Sequence, residues 1–310
     1  MNKKSIAIGL SIALGSTMLI TTAFANTTGE TGYDTYKSAI KNTLVAKNFT
    51  ENAVITVKDN GNVIASVNNS SKLSLDNNAV SGSTSINAGG QTYTIETYNQ
   101  DGKAIFKSSD NPVYNVMTKD QNSKEFKNKK SENEGLNSTK LNDGELLVDA
   151  LVGNLQNYVT LDNKSDGSKE ISASLSDNQL PAVVNAAASI VVKNAANEGN
   201  RMGMEKGDAA FTKNIINSIP KLVDNIRVEN VSLKAQINPD NYIVNQVINI
   251  IISGKDANGT VHTITADIDM NMLQFNNTTP DQIDLTGKQV NNVTKEFNRT
   301  RHNIEGEQNK

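Results

Sequence analysis

The chain has 310 residues, of which 36% are hydrophobic and 5% aromatic, and its formal net charge is −3 at pH 7. This mildly acidic balance argues against nucleic acid as a partner, because nucleic-acid-binding proteins need a basic surface that replaces phosphate counterions. The absence of cysteine excludes disulfides, cysteine-ligated metal sites and a lipid-modified cysteine.

The N-terminus has the three parts of a secretory signal peptide. Lys3 and Lys4 form a positive start, residues 6–20 are mostly apolar, and Ala23 and Ala25 supply the small residues before a cleavage site. We predict cleavage after Ala25, which would change the net charge from −3 to −5, since only the two lysines are lost. An uncleaved anchor is the alternative.

Cleavage predicts a secreted protein, extracellular or associated with the cell wall, whose membrane contact ends with the removal of residues 1–25. Asparagine is unusually frequent, with 45 residues, and lysine is also plentiful. This composition is typical of an AT-rich genome, as in many low-GC Gram-positive bacteria.

The mature part begins with a predicted helix at residues 32–47, where Tyr33, Tyr36, Ile40 and Leu44 recur at spacings of three and four. From residue 52 the apolar residues alternate with polar ones, which predicts strands. Asn60-Gly61, Gly89-Gly90 and Asp101-Gly102 mark hairpin turns between them. A meander ending near Met117 is therefore expected.

The middle of the chain combines a polar segment with further helices. Residues 118–142 are rich in Lys, Glu, Asn and Ser, which predicts a flexible loop because too little apolar surface is available for burial. Apolar stripes predict helices at 147–155, 180–191 and 208–219, and Asp166-Gly167 predicts a hairpin turn between residues 158–161 and 170–175.

The last third predicts a three-stranded antiparallel meander, with alternation at residues 231–237, 242–252 and 261–272. In its third strand Ile264, Ala266, Ile268, Met270 and Met272 share one face. We expect a single domain at residues 26–293 and a polar, disordered tail at 294–310.

This order of elements resembles the lipoprotein-carrier fold of LolA, LppX and related envelope proteins. Residues 32–43, GYDTYKSAIKNT, are similar to the first helix of exported Gram-positive proteins of this type, and residues 279–288, TPDQIDLTGK, are similar to their C-terminal edge. The resemblance implies an α+β fold: a strongly curved antiparallel sheet, an unclosed half-barrel, with helices packed on its concave side.

The same resemblance implies an apolar cavity between sheet and helices that can hold acyl chains. The expected lining consists of Ile264, Ala266, Ile268, Met270 and Met272 from the sheet and of Leu151, Val184 and Val191 from the helices. Methionine suits such an adaptable cavity, although it also fills ordinary cores.

Residues that could support catalysis or metal binding are few. Only two histidines occur, His262 at the start of a strand and His302 in the tail, and Asp267 and Asp269 share the polar face of their strand. We interpret them as ordinary surface or strand-end residues, and we predict no catalytic residue, metal ligand or cofactor.

Two functions are favoured, with a hydrolase of unknown type as a third alternative. The first is an exported, non-catalytic binding module that holds a lipid-like or apolar ligand between sheet and helices. The second is a structural or sensory cell-envelope protein that contacts another envelope protein and whose core is filled by its own side chains.

Overall fold

A computed structural model describes residues 31–118, 155–180, 185 and 219–292. Several sequence predictions concern residues outside these ranges: the signal peptide with its cleavage site at Ala25, the polar loop after Thr118, the helical residues Leu151, Val184 and Val191, and the tail at 294–310.

The described residues form one twelve-stranded sheet that does not close into a barrel. All neighbouring strands are antiparallel except β12, which pairs in parallel with β6. The spatial order is β12-β6-β5-β4-β3-β2-β1-β11-β10-β9-β8-β7, so the first and last meanders join where β1 pairs with β11. The bounds are β1 Asn48–Asp59, β2 Asn62–Ser74, β3 Ala79–Ala88, β4 Gln91–Gln100, β5 Lys103–Ser108, β6 Asn111–Thr118, β7 Val159–Asn163, β8 Lys169–Ser176, β9 Asp224–Ile237, β10 Ile243–Lys255, β11 Val261–Leu273 and β12 Val290–Asn292.

Tight turns set the register of the hairpins. Asn60 and Gly61 both have positive φ, 48° and 87°, as do Asp101 and Gly102 at 51° and 69°. This is the geometry of a two-residue turn whose twist matches that of the flanking strands. The turns predicted at Asn60-Gly61 and Asp101-Gly102 are therefore confirmed, as is the hairpin of β7 and β8.

Helix α1, Gly32–Leu44, is the α-helix whose bounds the structure defines. The Thr31 hydroxyl caps its first turn by accepting from the Asp34 N–H at 3.1 Å. The helix ends three residues before the predicted residue 47, since Val45 has left helical geometry. A Cβ on Gly32 would lie 2.8 Å from the Val159 carbonyl oxygen, so the helix start packs directly against the backbone of β7.

Helix α1 lies on one face of the sheet, which we call the α1 face. Its Tyr36, Ala39 and Ile40 belong to the same buried core as Ile171 of β8 and Ala235 of β9. Two short 3₁₀ helices, Leu155–Tyr158 and Asp177–Gln179, flank β7 and β8. The sheet dominates the described fold, and none of the described helices is long and apolar enough to span a membrane.

After Phe275, which packs with Phe49 in the core of the α1 face, the C-terminal segment lies on the opposite face; we call residues 274–289 the strap. It has no regular secondary structure and crosses from β1 to the edge strand β6, where it continues as β12. Asp281 pairs with Lys72 at 2.8 Å, and the Ile283 N–H donates to Gln100 at 2.8 Å. Ile283 and Leu285 pack on the core of Ile105, Tyr114 and Val116, so the strap covers apolar residues on this face.

Candidate functional site

A continuous apolar row crosses nine strands of the α1 face. The pairing register brings its members side by side, one from each of β7, β8, β9, β10, β11, β1, β2, β3 and β4 in that order: Val159, Ala173, Leu233, Ile248, Ile268, Ile55, Val67, Ile86 and Tyr93. Because side chains alternate between faces along a strand, this row shows which neighbouring residues of these nine strands face α1, as far as the register shifts in β2, β9 and β10.

One end of the predicted lining lies in a closed core. Met270 and Met272 are 0% and 1% exposed and share a core with Tyr36 and Phe49. Ile268 is also buried. A side chain with no accessible surface contacts no space that admits water, so the two methionines fill the core rather than line an open cavity.

The other end of the same strand is open. Ile264 and Ala266 are partly exposed, and so are their cross-strand neighbours on β1 and β10. We call this contiguous group of partly exposed apolar side chains the open strip: Ile55, Val57, Ile250, Ile252, Ile264 and Ala266. The open part of the predicted lining therefore lies at the Ile264 end of β11.

Two described residues of the predicted helix at 180–191, Leu180 and Asn185, lie beside the open strip. Leu180 is buried with Leu175 and Val228, in a small core that partly exposed Ile252 joins. The Val228 N–H donates to the Asn185 side chain at 2.7 Å. The predicted lining residues Leu151, Val184 and Val191 lie outside the described residues.

A buried polar cluster interrupts the apolar surface of the α1 face on β1, β2 and β3. It consists of Glu51, Asn69, Ser71 and Thr84, which we call the Glu51 cluster, and Glu51 is only 1% exposed. The Asn69 amide donates to Glu51 at 3.4 Å and to the Ser71 hydroxyl at 3.2 Å, and Thr84 donates to Asn69 at 2.9 Å. Burial raises the pKa of the Glu51 carboxyl to about 8, so the carboxyl is mostly uncharged at neutral pH.

A second buried polar pair joins α1 to the sheet. The Tyr36 hydroxyl donates to the Gln246 side-chain oxygen at 2.5 Å. Burial raises the pKa of Tyr36 well above its usual value, so the hydroxyl keeps its proton at any physiological pH. This pair satisfies two buried polar groups and fixes α1 over β10.

His262 lies at the far end of the α1 face, next to the β10–β11 turn. Its Nδ1 is 3.0 Å from an Asp59 carboxylate oxygen, and its Nε2 is 3.7 Å from Asp256. Backbone N–H groups, first that of Thr260, hold the pKa of Asp256 below its usual value. The described residues contain no group of three His, Asp or Glu side chains arranged to hold a metal ion.

The paired aspartates of β11 lie on the face opposite α1. Asp267 accepts from Lys58 at 2.8 Å and from Asn249 at 2.6 Å, and these donors lower its pKa. Asn245 donates to Asp269 at 3.0 Å. Both carboxylates thus belong to cross-strand polar ladders, which is consistent with our interpretation of them as surface residues.

The Glu51 cluster was not among the residues singled out from the sequence, although a signal for it exists. Glu51 has the same parity as Ala53, Ile55 and Val57, so a strand here must place a carboxyl on the apolar face. Asn69 and Ser71 interrupt β2 in the same way. The prediction missed Glu51 because it began the first strand at residue 52.

Comparison of the chain with models of known protein families gives no match. Comparison with curated proteins gives no significant similarity either.

Proposed function

We propose that this chain is an exported, non-catalytic binding module that holds a lipid-like or apolar ligand on the α1 face. The observation that carries the proposal is the open strip: six contiguous apolar side chains on three central strands, partly exposed and continuous with a closed core. Apolar surface of this kind is a common feature of ligand-binding sites.

The energetics are sufficient for such a ligand. Each methylene removed from water contributes about 0.8 kcal/mol, so a chain of about a dozen yields ~10 kcal/mol before the costs of association and ordering. The finer architecture inferred from the resemblance, a strongly curved sheet with helices on its concave side, belongs to this proposal. Leu180 and Asn185, which contact the α1 face beside the open strip, support it.

The second candidate function is a structural or sensory cell-envelope protein that acts through contacts with another protein. The specific observation in its favour is the closed core, where Met270 and Met272 are covered by the protein's own side chains. In both candidates the N-terminal signal-like segment directs the chain out of the cell.

Ala266→Phe distinguishes the two candidates. Ala266 is a partly exposed member of the open strip, between Val57 and Ile250. In a binding module the added ring occupies ligand space, so affinity for the uncharged fluorescent probe N-phenyl-1-naphthylamine should fall at least fivefold with little change in stability. In a filled core the ring overpacks and costs about 1–3 kcal/mol.

The matched control is Thr265→Phe, which adds a ring at the neighbouring residue on the opposite face and should leave probe binding unchanged. Probe binding is measured by fluorescence titration and stability by urea denaturation. Absence of probe binding by the parent protein, together with destabilisation of Ala266→Phe, would reject the binding module in favour of the structural candidate.

A further inference from the structure

The open strip ends at three charged or titratable side chains, Asp59, Asp256 and His262, which we call the His262 cluster. Asp59 pairs directly with Ile264 across β1 and β11. Alternate residues of a strand share a face, so His262 is the residue of β11 that adjoins Ile264 on the α1 face, about 7 Å along the strand. A ligand that lies along the open strip therefore meets the His262 cluster at the end of the strip.

The path from the open strip to the His262 cluster is accessible to solvent. Val57 and Ile264 are partly exposed, and the side chains of His262, Asp59 and Asp256 are 14%, 19% and 22% exposed. The closed core lies toward the other end of β11. A ligand on the open strip thus reaches the carboxylates without crossing the closed core.

The His262 cluster carries a net negative charge whether or not His262 is protonated. Its two carboxylates face at most one positive charge, and backbone N–H groups, first that of Thr260, hold the pKa of Asp256 below its usual value. Within the described ranges, neither carboxylate forms an ion pair with a lysine or an arginine. A positively charged head group is therefore attracted to this end of the strip, and an anionic one is repelled.

The cluster also has more hydrogen-bond acceptors than donors. Nδ1 of His262 is 3.0 Å from Asp59, which places the proton of a neutral imidazole between these two groups. Nε2 of His262 is buried, has no hydrogen-bond partner among the described residues and lies 3.7 Å from an Asp256 oxygen.

The Asp59 carboxylate retains unused acceptor capacity. In the described part of the chain its hydrogen-bond partner is His262, whereas an ionised carboxylate offers about four acceptor sites. A primary ammonium group brings three N–H donors together with a positive charge. Such a head group matches both the charge and the missing donors of the cluster.

We propose that the ligand of the α1 face is an amphiphile with a protonated primary-amine head group, which binds the His262 cluster through Asp59 while its chain lies along the open strip. This inference rests on the proposed function and specifies its ligand class. It assigns a binding role to Asp59, whereas a purely structural role would affect stability but not the preference for one head group.

Three amphiphiles with the same twelve-carbon chain provide the test: dodecylammonium, 1-monolaurin and dodecyl phosphate, titrated calorimetrically below their micellar concentrations at pH 7. We expect the parent protein to bind dodecylammonium at least tenfold more tightly than monolaurin, and dodecyl phosphate more weakly than both. Asp59→Asn, which keeps the shape and removes one charge, should reduce the preference for dodecylammonium over monolaurin at least threefold. The matched control is Asp269→Asn, which removes the same charge from the opposite face of β11 and should keep the preference of the parent.

The outcomes separate this inference from the proposed function. Equal affinity for dodecylammonium and monolaurin, or tighter binding of dodecyl phosphate, would overturn the head-group assignment while binding on the α1 face stands. Equal losses of preference in Asp59→Asn and Asp269→Asn would also overturn it, because the preference would then come from overall charge. Failure of the parent to bind all three amphiphiles and the apolar probe would overturn the proposed function and this inference together. If Asp59→Asn does not fold, as judged by circular dichroism, Asp256→Asn replaces it and should lose the preference in the same way.

Discussion

The two ends of β11 on the α1 face differ in what covers them. Met270 and Met272 lie in the core that α1 shares and are inaccessible to solvent, whereas at Ile264 and Ala266 similar apolar side chains remain partly exposed. The difference lies in what packs over the strand and not in the strand itself, because the alternation continues unchanged along it. An apolar face is therefore a core or a candidate binding surface depending on what packs over it.

The difference between the two regions is tested most directly by introducing the same charge in each. Ile268→Asp buries a carboxylate without a partner in the closed core and should cost about 4 kcal/mol or more, enough to unfold a marginal domain. Ile264→Asp, four residues away on the same face, stays partly hydrated and should cost only about 1–2 kcal/mol. Urea denaturation of both variants measures the difference, and equal losses would show that the open strip is as closed as the core.

The second prediction concerns Glu51 and the pH dependence of stability. The unfolded chain releases the Glu51 proton near pH 4.5, but the folded protein retains it to about pH 8. The folded state thus binds more protons between these values, so the Glu51 contribution makes stability fall as pH rises from 4.5 to 8 and level off above 8. Glu51→Gln removes this contribution. Its free energy of unfolding, relative to that of the parent, should therefore rise by up to about 5 kcal/mol between pH 4.5 and pH 8.

Denaturation of parent and Glu51→Gln at pH 5, 6.5 and 8 measures this effect, with Glu96→Gln as the control for loss of a carboxylate from the other face. A constant difference between parent and Glu51→Gln at all three pH values would show that Glu51 is already ionised in the folded protein.

The third prediction concerns the packing of the start of α1 against β7. In Gly32→Ala the new Cβ would lie 2.8 Å from the Val159 carbonyl oxygen and 2.9 Å from the Thr160 carbonyl carbon, and both are backbone atoms that cannot rotate away. We expect a loss of about 1–3 kcal/mol as α1 shifts from β7. Probe binding at the open strip should change less than twofold. A large change in binding would show that the open strip is coupled to the contact between α1 and β7.

Much of the sheet could be predicted because its signals are local. Asn60-Gly61 and Asp101-Gly102 specify hairpin turns through their tolerance of positive φ, and the alternation from Ile264 to Met272 specifies one apolar face. Strand β3 was not predicted, because its apolar face of Val80, Ile86 and Ala88 is interrupted by Gly82 and Thr84, so the sequence AVSGSTSINA resembles a loop. The start of β9 was missed because a register shift near Val228 interrupts its alternation.

The candidate site was predictable only in part, for a related reason. The parity of β11 indicates which side chains share a face, but not how far along the strand α1 extends over them. A glutamate is normally charged at neutral pH, so the sequence favours an exposed position for Glu51. Only its burial in the folded protein makes it mostly uncharged at that pH. The path of the strap over the sheet could not be predicted, because its contacts, such as Asp281 with Lys72, join residues about two hundred positions apart.

The sequence alone predicts the strand periodicity, the tight turns, the helical stripe of α1 and the excess of polar residues on one face of the last meander. These features depend on backbone preferences and on side-chain alternation within a few residues. Only the folded structure shows the pairing of β1 with β11, the core that α1 shares with the sheet and the path of the strap. These depend on contacts between distant segments, whose formation is governed by packing and burial and leaves no local pattern in the chain.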